Sequence, residues 1–592
     1  MLDGRIYRTG LAVVALAILV LGFSFRAQPA PLSTSLAPDA FNGQNVLDTM
    51  GRLSTAYPNR PPGSAADYDL ASQLAGDFRT GGYNVTTDAF SAQTAVGRRT
   101  LENVVAVRPG IQSGSVVIVA ARDARGTPSA AGLSGTATEL ELARALAGET
   151  LHRTVVLAST SGSQGTAGAI RLASTLSGPV DAVIVLGDLA SAHVRQPVVV
   201  PWSSSQAVAP PALRNTLAGQ LSQQAALGSR GTSLFGQFTH LAFPLTISNQ
   251  APFGGQGIPA VLLSVSGERG PTADAPLAGP DRLTAVGRAV LGTISAVDGG
   301  SDMPSPSSYL LLSGKLVPGW ATSLFILALI VPVALVTIDG LARARRHGHI
   351  VWRWLVVVLA AAVPFALGAT LILAAGLTGL LPVTPPAPIP AQAIPLDTGG
   401  VVVLAGIALV CVAAFLLLRP VVIRLAVGSG SRRRVIGEYH EGVVAAVLVV
   451  MCAVTVAIWV ANPFAAALAV PALHLWLAAL SPDLRLRIPF RVGLLLLGLA
   501  PVLAVAGYYA FTLGYGPSDL AWSAALLLAG HGVSLGDILG WSVFWGCAVV
   551  GAGVLVLAAR QPRPEQVPVT VRGPVSYAGP GSLGGTESAL RR

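Results

Sequence analysis

Apolar and polar positions divide the chain into long apolar runs and one extended polar region. A helix needs roughly 20 apolar residues to cross a bilayer core, and a run of nearly this length occupies residues 10–25. Further runs alternate with short charged loops from residue 318 onward. The pattern predicts one N-terminal helix followed by a series of membrane-spanning helices. The later runs cover residues 318–339, 351–381, 399–418, 442–461, 464–481, 490–514 and 537–559.

The polar region has the pattern of an α/β domain. Buried strands are predicted at residues 116–120, 154–158 and 180–186, and the first two are each followed by a helical pattern, at 138–147 and 165–176. Strands that alternate with helices in this order favour a doubly wound mixed sheet. In such sheets binding sites form at the carboxyl ends of the strands.

These patterns divide the chain into four segments. Residues 1–30 predict a signal anchor, with a cleaved signal peptide as the alternative. Residues 31–315 predict an extracytoplasmic domain, and residues 316–560 predict an all-α polytopic membrane domain of about seven helices. The tail, 561–592, is rich in Pro, Gly and Ser and is expected to be disordered. A shorter apolar run at 520–530 predicts a re-entrant or interfacial segment.

Arginine is concentrated in every second loop between the apolar runs. Positive charge in short loops marks the cytoplasmic side of a membrane. We therefore expect a plasma-membrane protein with its N-terminus and tail in the cytoplasm and residues 31–315 outside. The arginines that support this orientation are Arg343, Arg345, Arg346, Arg432, Arg433, Arg434, Arg485, Arg487, Arg491, Arg560 and Arg563.

Composition agrees with a membrane protein and removes several other classes. Hydrophobic residues make up 52% of the chain and charged residues 11%, with a mean hydropathy of +0.63. The net charge of +10 comes from arginines beside apolar runs, so nucleic-acid binding is discarded. Lys315 is the sole lysine, a bias typical of a high-GC genome and here of an actinobacterium. The cysteines lie in apolar runs, which excludes a disulfide framework in the polar region; they are Cys411, Cys452 and Cys547.

An ordered set of short motifs in residues 45–298 resembles the zinc aminopeptidase family of aminopeptidase Y type, in peptidase clan MH. The resemblance implies a sheet of zinc-exopeptidase type with two zinc ions held by His and carboxylate ligands and a Glu as general base. The motifs are Arg60-Pro61-Pro62-Gly63-Ser64, Gly82-Tyr83-Asn84-Val85, Asn103-Val104-Val105-Ala106, Pro109-Gly110, Leu133-Ser134-Gly135, the residues 140–146, Gly165 with Gly168, Pro252-Phe253 and Gly257-Ile258-Pro259-Ala260.

The zinc ligands that the resemblance implies are mostly missing. The family's His-x-Asp falls on Ala121-Arg122-Asp123, and no histidine lies between Val265 and Asp281. We therefore expect a vestigial cleft with no catalytic residue, metal ligand or cofactor. The alternative is an active metallopeptidase with an unconventional zinc site on Asp123 and Asp188. The vestigial positions are Ala121, Asp123, Ala131, Gly162, Ser163, Asp188 and Gln250.

Several polar residues of the domain also have ordinary structural interpretations. Asp123 is expected to pair with Arg122 or Arg125, and Asp188 either caps the turn that follows it or serves as a ligand. His152 is expected at the surface, while His240 is a candidate for the rim of the cleft. The serines Ser159, Ser161 and Ser163 have no histidine placed to act as their base.

The membrane region offers one ionisable candidate. His474 lies inside an apolar run, and such a residue is either functional or part of a helix–helix hydrogen bond. The pair His440-Glu441 lacks the second His of a zinc-protease motif, because position 444 is Val. The lack of other charges in the spans disfavours a small-solute transporter, which is kept as a third alternative.

The layout of one anchor, a peptidase-like domain and about seven helices resembles the glycosylphosphatidylinositol transamidase attachment subunit. This resemblance implies a domain used for binding and assembly. We therefore expect the domain to bind or scaffold a peptide, lipid or protein partner in the cell envelope, with the lipid bilayer as the other partner. Whether the loop 382–395 covers the cleft is left open.

Overall fold

A computed structural model describes residues 4–33, 39–124, 129–228, 231–346, 351–382, 384–427, 432–481, 484 and 486–560. These residues form an α/β domain and a group of long apolar helices. The tail 561–592, Arg125 and Arg485 lie outside the described residues, and so do the side chains of His440 and Glu441.

The α/β domain is built on a mixed sheet of seven strands in the order β2-β3-β5-β4-β6-β8-β7. The inner strands β5, β4, β6 and β8 run parallel to one another. The predicted strands at 116–120, 154–158 and 180–186 are confirmed as β4, β5 and β6. The strands of this sheet are β2 (Asn84–Thr94), β3 (Gly97–Arg108), β4 (Ser115–Ala121), β5 (Thr154–Thr160), β6 (Val180–Leu186), β7 (Val199–Val200) and β8 (Ala260–Leu263).

Helices cover both faces of the sheet, because its inner strands are apolar on both sides. Val116 and Ile118 of β4 pack in one core with α2, α3, α4, α6 and α9. Val117 and Val119 pack in the other core with α5, α7 and α8. The helices are α2 (Gly43–Ala56), α3 (Ala65–Thr80), α4 (Ser134–Leu146), α5 (Ala167–Thr175), α6 (Pro211–Ala225), α7 (Leu234–Ala242), α8 (Ala251–Gly255) and α9 (Pro280–Asp298).

Eight of the described helices are long and apolar enough to cross a membrane, which is compatible with a multi-pass membrane protein. They are α1 (Gly4–Phe23), α10 (Gly319–Arg346), α11 (Val351–Leu377), α12 (Thr398–Val427), α13 (Arg432–Ala461), α14 (Pro463–Leu480), α15 (Ile488–Leu513) and α17 (Leu535–Arg560). The remaining helix, α16 (Pro517–Ala529), has 13 residues. Its two flanks, Tyr515 and Gly530, both lie against the segment 384–389, so α16 does not cross the helical layer.

The helices contact the α/β domain at one set of ends. The corner between α13 and α14 bonds to the domain through Asn462, whose Nδ2 donates to the carbonyls of Leu241 and Ala242 at 3.0 Å. Arg269 of the domain donates to Thr512 at the end of α15. The arginine-rich starts of α13 and α15 are therefore at the ends remote from the domain, as the loop-charge pattern predicts.

The N-terminal helix α1 is packed among the later helices. A small sheet joins β1 (Arg26–Ala27), which follows α1, to β10 (Lys315–Pro318), which leads into α10; β9 (Tyr309–Leu312) completes it. On α1 the Tyr7 hydroxyl lies 2.7 Å from His474 Nδ1, and His474 Nε2 lies 2.9 Å from the Leu329 carbonyl. His474 thus forms the helix–helix hydrogen bonds that were one of its two interpretations.

Candidate functional site

The carboxyl ends of the parallel strands meet at one edge of the sheet, which we call the carboxyl edge. It consists of the segments 121–124 after β4, 160–165 after β5, 187–191 after β6 and 264–269 after β8. Two of the vestigial positions meet here, because the Ser163 amide donates to Asp123. Asp188 lies in the next segment, where its carbonyl accepts from the Val265 amide.

Asp123 is held by the loop after β5. Its carboxylate accepts from the Ser163 amide at 3.0 and 3.1 Å and from the Ser163 hydroxyl at 3.0 Å. Burial and the nearby Asp67 raise the pKa of Asp123 to about 6, against the opposing effect of the Ser163 bonds. Asp123 therefore already has its hydrogen-bond partners within the domain.

Arg122, one of the two partners predicted for Asp123, pairs with another residue; the other, Arg125, lies outside the described residues. The Arg122 Nε lies 2.8 Å from Asp67 Oδ1, and both side chains are fully buried. The guanidinium also donates to the carbonyls of Ser159 and Glu102. Asp67 lies on α3, next to the sheet. A buried arginine needs an opposite charge beside it, because the ion pair offsets the cost of removing the guanidinium from water.

The rest of this charged centre is satisfied in the same way. The Ser161 hydroxyl donates to Asp67 Oδ2 at 2.5 Å. Arg60 donates from Nε to the Arg122 carbonyl at 2.8 Å and from a terminal nitrogen to the Tyr57 carbonyl. Ser161 is thus a bound donor to a carboxylate, and the centre holds the strand ends in place.

Asp188 caps the turn after β6, as one of its two interpretations predicted. Its Oδ1 accepts from the amides of Ala190 and Ser191 at 3.0 Å each. Arg282 donates to the carbonyls of Ser191 and Ala192 and fixes the same turn. Burial lowers the pKa of Arg282, and the charge of Asp188 opposes that shift.

These residues do not fit a two-zinc centre. Among the described residues no group of three or more His, Cys, Asp or Glu side chains could hold a metal ion. Ala121, Ala131 and Gly162 supply no ligand atom, and zinc sites ordinarily require three or four N, S or carboxylate ligands.

His152 and His240 have different surroundings. His152 is half-exposed and its Nδ1 lies 3.1 Å from Asp298, so the surface prediction is confirmed. His240 is buried, stacked on Trp202 with ring centroids 4.6 Å apart, and it meets Tyr509 of α15 edge-on. Burial lowers the pKa of His240 to about 3. It therefore lies neutral in the contact with α15 and not at an open rim.

Gln250 belongs to a second polar centre beside His240. Its Nε2 donates to the Trp202 carbonyl at 3.1 Å and lies 3.5 Å from Thr246 Oγ1. The Thr246 hydroxyl in turn lies 3.2 Å from Glu268 Oε1. Glu268 was missed in the sequence, where nothing distinguishes it from a surface carboxylate.

The carboxyl edge is covered by the helical region. A Cβ atom at Gly165, after β5, would overlap the ring of Pro385, and Ile389 lies beside it. The Tyr515 hydroxyl donates to the Ile389 carbonyl, and Thr384 donates to the Leu526 carbonyl of α16 at 2.8 Å. The segment 384–389 therefore packs against the loop after β5, at Gly165.

Comparison with protein-family models and with curated proteins finds no match for this chain. Solved structures that resemble it include a glutaminyl cyclase of Porphyromonas gingivalis, at 18% identity and a TM-score of 0.35, covering 43% of this chain and 98% of that one. A zinc aminopeptidase of Bacillus subtilis has 12% identity and a TM-score of 0.35, with 43% and 94% covered. The LapA aminopeptidase of Legionella pneumophila has 17% identity and a TM-score of 0.36, with 45% and 72% covered. At these values the likenesses carry no argument about activity.

Proposed function

We propose that this is a multi-pass membrane protein whose domain, a degenerate relative of the zinc exopeptidases of aminopeptidase Y type, binds a ligand instead of hydrolysing a peptide. The observation that supports this most is the state of the two carboxylates at the carboxyl edge. Asp123 is held by the Ser163 amide and hydroxyl, and Asp188 by the turn after β6. Among the described residues neither carboxylate is joined by an imidazole or a free base.

The position of the carboxyl edge favours a ligand attached to the membrane. The segment 384–389 and the end of α15 pack on this edge, through Gly165 and Arg269. A ligand that reaches Ser163 would therefore pass along the domain-side ends of the helices. A lipid or a membrane-anchored peptide in the cell envelope can follow such a path.

The cellular setting is part of the same proposal. The arginine-rich ends that lie away from the domain support a cytoplasmic position for those ends and an extracytoplasmic position for the domain. On the layout alone, we further propose that the protein lies in the plasma membrane of an actinobacterium and holds a partner in a scaffold. Its assembly role would resemble that of the glycosylphosphatidylinositol transamidase attachment subunit.

The test measures zinc and turnover in the purified full-length protein. After zinc loading, elemental mass spectrometry and assays of aminopeptidase and glutaminyl cyclase activity are applied to the wild type, to Asp123→Ala and to Asp69→Ala, an exposed control on α3. We expect less than stoichiometric zinc and no turnover in all three. Stoichiometric zinc and cleavage that disappear only in Asp123→Ala would establish the active metallopeptidase alternative.

Ligand binding at the carboxyl edge is tested by photo-crosslinking. A photoreactive amino acid replaces Ser163 at the edge or, as the control, the exposed Glu149 at the end of α4. Illumination in native membranes should give a lipid or peptide adduct at position 163 and not at position 149. Equal labelling at both positions would contradict a binding site at the edge.

A further inference from the structure

Helix α7 of the α/β domain exposes apolar side chains in its first turn. Leu234 is 45% exposed and Phe235 is 43% exposed, and Phe238, one turn later on the same side of the helix, is partly exposed. The opposite side packs into the domain, where His240 stacks on Trp202. Single apolar residues are common on protein surfaces, but adjacent ones that continue into other apolar surface mark a contact with a partner or a membrane. We call Leu234, Phe235 and Phe238 the α7 face.

The α7 face borders on two of the helices that are long enough to cross a membrane. The Phe235 ring meets the Tyr508 ring of α15 edge-on, with centroids 5.9 Å apart. The Phe238 ring meets Phe464 of α14, with centroids 6.0 Å apart. A Cβ atom at Gly236 would overlap the Tyr508 side chain, so glycine permits this close approach. The level of α7 relative to a bilayer is therefore the level of these contacts on α14 and α15.

The length of α14 fixes the level of the first contact. A helix rises 1.5 Å per residue, so the 18 residues of α14 span about 27 Å. The hydrocarbon core of a bilayer is roughly 30 Å thick, so a helix of this length has no residue to spare when it crosses. Its first residue, Pro463, then lies at the edge of the core on the side of the α/β domain. Phe464, which contacts the α7 face, follows directly.

The packing of α15 against α14 places Tyr508 at the same level. The two helices run antiparallel, and a Cβ atom at Gly498 would lie 3.0 Å from Ala472 Cα. Pro463 comes nine residues before Ala472, and Gly507 comes nine residues after Gly498, so Pro463 and Gly507 lie level with each other. Tyr508 follows Gly507 directly. Both contacts of the α7 face are therefore at the edge of the hydrocarbon core.

Tryptophans at the domain-side ends of three other helices mark the same edge independently. Trp320 lies in the first turn of α10 and is 55% exposed, Trp459 lies two residues before the end of α13, and Trp541 lies in the second turn of α17. Trp and Tyr are enriched where the hydrocarbon core of a membrane meets water. The ring of Phe243, directly after α7, lies 5.5 Å from the Trp541 ring. The helix α7 thus lies within an aromatic belt.

We propose that α7 is an interfacial membrane helix, with the α7 face among the acyl chains next to the lipid headgroups on the side of the α/β domain. The inference rests on the multi-pass topology of the proposed function and adds a membrane contact of the α/β domain itself. Lipid is the occupant that continuity favours, because Phe511, one turn beyond Tyr508 on the same side of α15, is 84% exposed. Acyl chains cover both surfaces, and the apolar face of an interfacial helix typically lies about 5–10 Å into the headgroup boundary.

The test measures the depth of position 235 in vesicles of phosphatidylethanolamine and phosphatidylglycerol. In the full-length protein p-acetylphenylalanine replaces Phe235 and carries a nitroxide, whose collisions with oxygen and with a water-soluble nickel chelate are followed by electron paramagnetic resonance. Oxygen concentrates in the hydrocarbon and the chelate stays in water. The membrane control is the same label at Leu409, 70% exposed near the middle of α12, and the water control is Ile111, 73% exposed in the turn between β3 and β4.

We expect the ratio of oxygen to chelate collisions at position 235 to exceed the ratio at position 111 several-fold and to remain below the ratio at position 409, because an interfacial site is shallower than the middle of a span. A label at Leu234 should give the same result as the label at position 235, which controls for a local disturbance by either replacement.

Two results would overturn the inference alone. Chelate collisions at positions 234 and 235 as frequent as at position 111 would place the α7 face in water. A label at these positions that is shielded from both reagents would mean that protein, such as a second copy of the chain, covers the face. A ratio at position 409 as low as at position 111 would contradict the multi-pass topology and the inference together, so the two failures are distinguishable.

Discussion

Two buried polar centres lie at the carboxyl edge of the same sheet, and they differ in how their charges are satisfied. In the first, Arg122 is paired with Asp67, which also accepts from Ser161. In the second, Glu268 has one long hydrogen bond to Thr246 and no ion pair within the described part of the chain. The comparison teaches that one edge of a sheet can hold a tightly paired structural centre and, a few strands away, a weakly bonded carboxylate.

Breaking the paired centre should have the largest effect. Arg122→Met leaves the Asp67 carboxylate buried without its partner, and such a change costs about 3–5 kcal/mol of unfolding free energy. The loss of unfolding free energy is measured by chemical denaturation of the full-length protein in mixed micelles, with tryptophan fluorescence as the signal. The double variant Asp67→Leu with Arg122→Met should recover part of the loss, because neither charge then remains buried. A single variant as stable as the wild type would show that the pair is solvated.

The pH dependence of Asp123 is the next largest effect. Because its pKa is raised from 3.8 to about 6 in the folded state, the folded protein binds more protons than the unfolded chain between these values. This group therefore destabilises the fold above pH 6, and stability is regained as the pH falls from about 6 to about 4, by about 3 kcal/mol. The measurement is the difference in unfolding free energy between wild type and Asp123→Asn over this range.

The control for Asp123 is Asp69→Asn, on the exposed face of α3. Its difference from the wild type should stay constant over the same pH range, since this side chain is exposed. A constant difference for Asp123→Asn as well would mean that the Ser163 bonds fully offset the burial of Asp123.

Much of the fold could be predicted because it depends on local composition. The membrane helices follow from apolar runs, and β4, β5 and β6 follow from short apolar stretches bounded by turn residues. The cap formed by Asp188 is equally local, since its partners are two and three residues away. In each case the residues that decide the structure are adjacent in the sequence.

The parts that could not be predicted depend on contacts between distant residues. Asp67, the partner of Arg122, comes from a helix 55 positions earlier, so the adjacent Asp123 looked like the better partner. Glu268 is partly buried beside Arg269, which docks on α15 through carbonyls 242 and 243 positions later in the chain. The contact between Pro385 and Gly165 likewise joins residues 220 positions apart in the sequence.

The pH dependence of the second centre follows from Glu268. Because burial raises the pKa of Glu268 from 4.5 to about 7 in the folded state, the folded protein binds more protons than the unfolded chain between these values. This group therefore destabilises the fold above pH 7, and stability is regained as the pH falls from about 7 to about 4.5. The difference in unfolding free energy between the wild type and Glu268→Gln over this range measures the effect, and a constant difference would show that Glu268 is solvated.

The smallest effects come from single hydroxyls, and they compare the two centres directly. Ser163→Ala removes one donor to the buried Asp123 but keeps the amide, which should cost about 1 kcal/mol or slightly more. Ser248→Ala removes a hydroxyl that lies 3.4 Å from Thr246, so the unfolding free energy should change by less than about 0.5 kcal/mol. Thermal unfolding of the two variants measures both changes. If both variants lose stability equally, the hydrogen bonds of the second centre are as strong as those that hold Asp123.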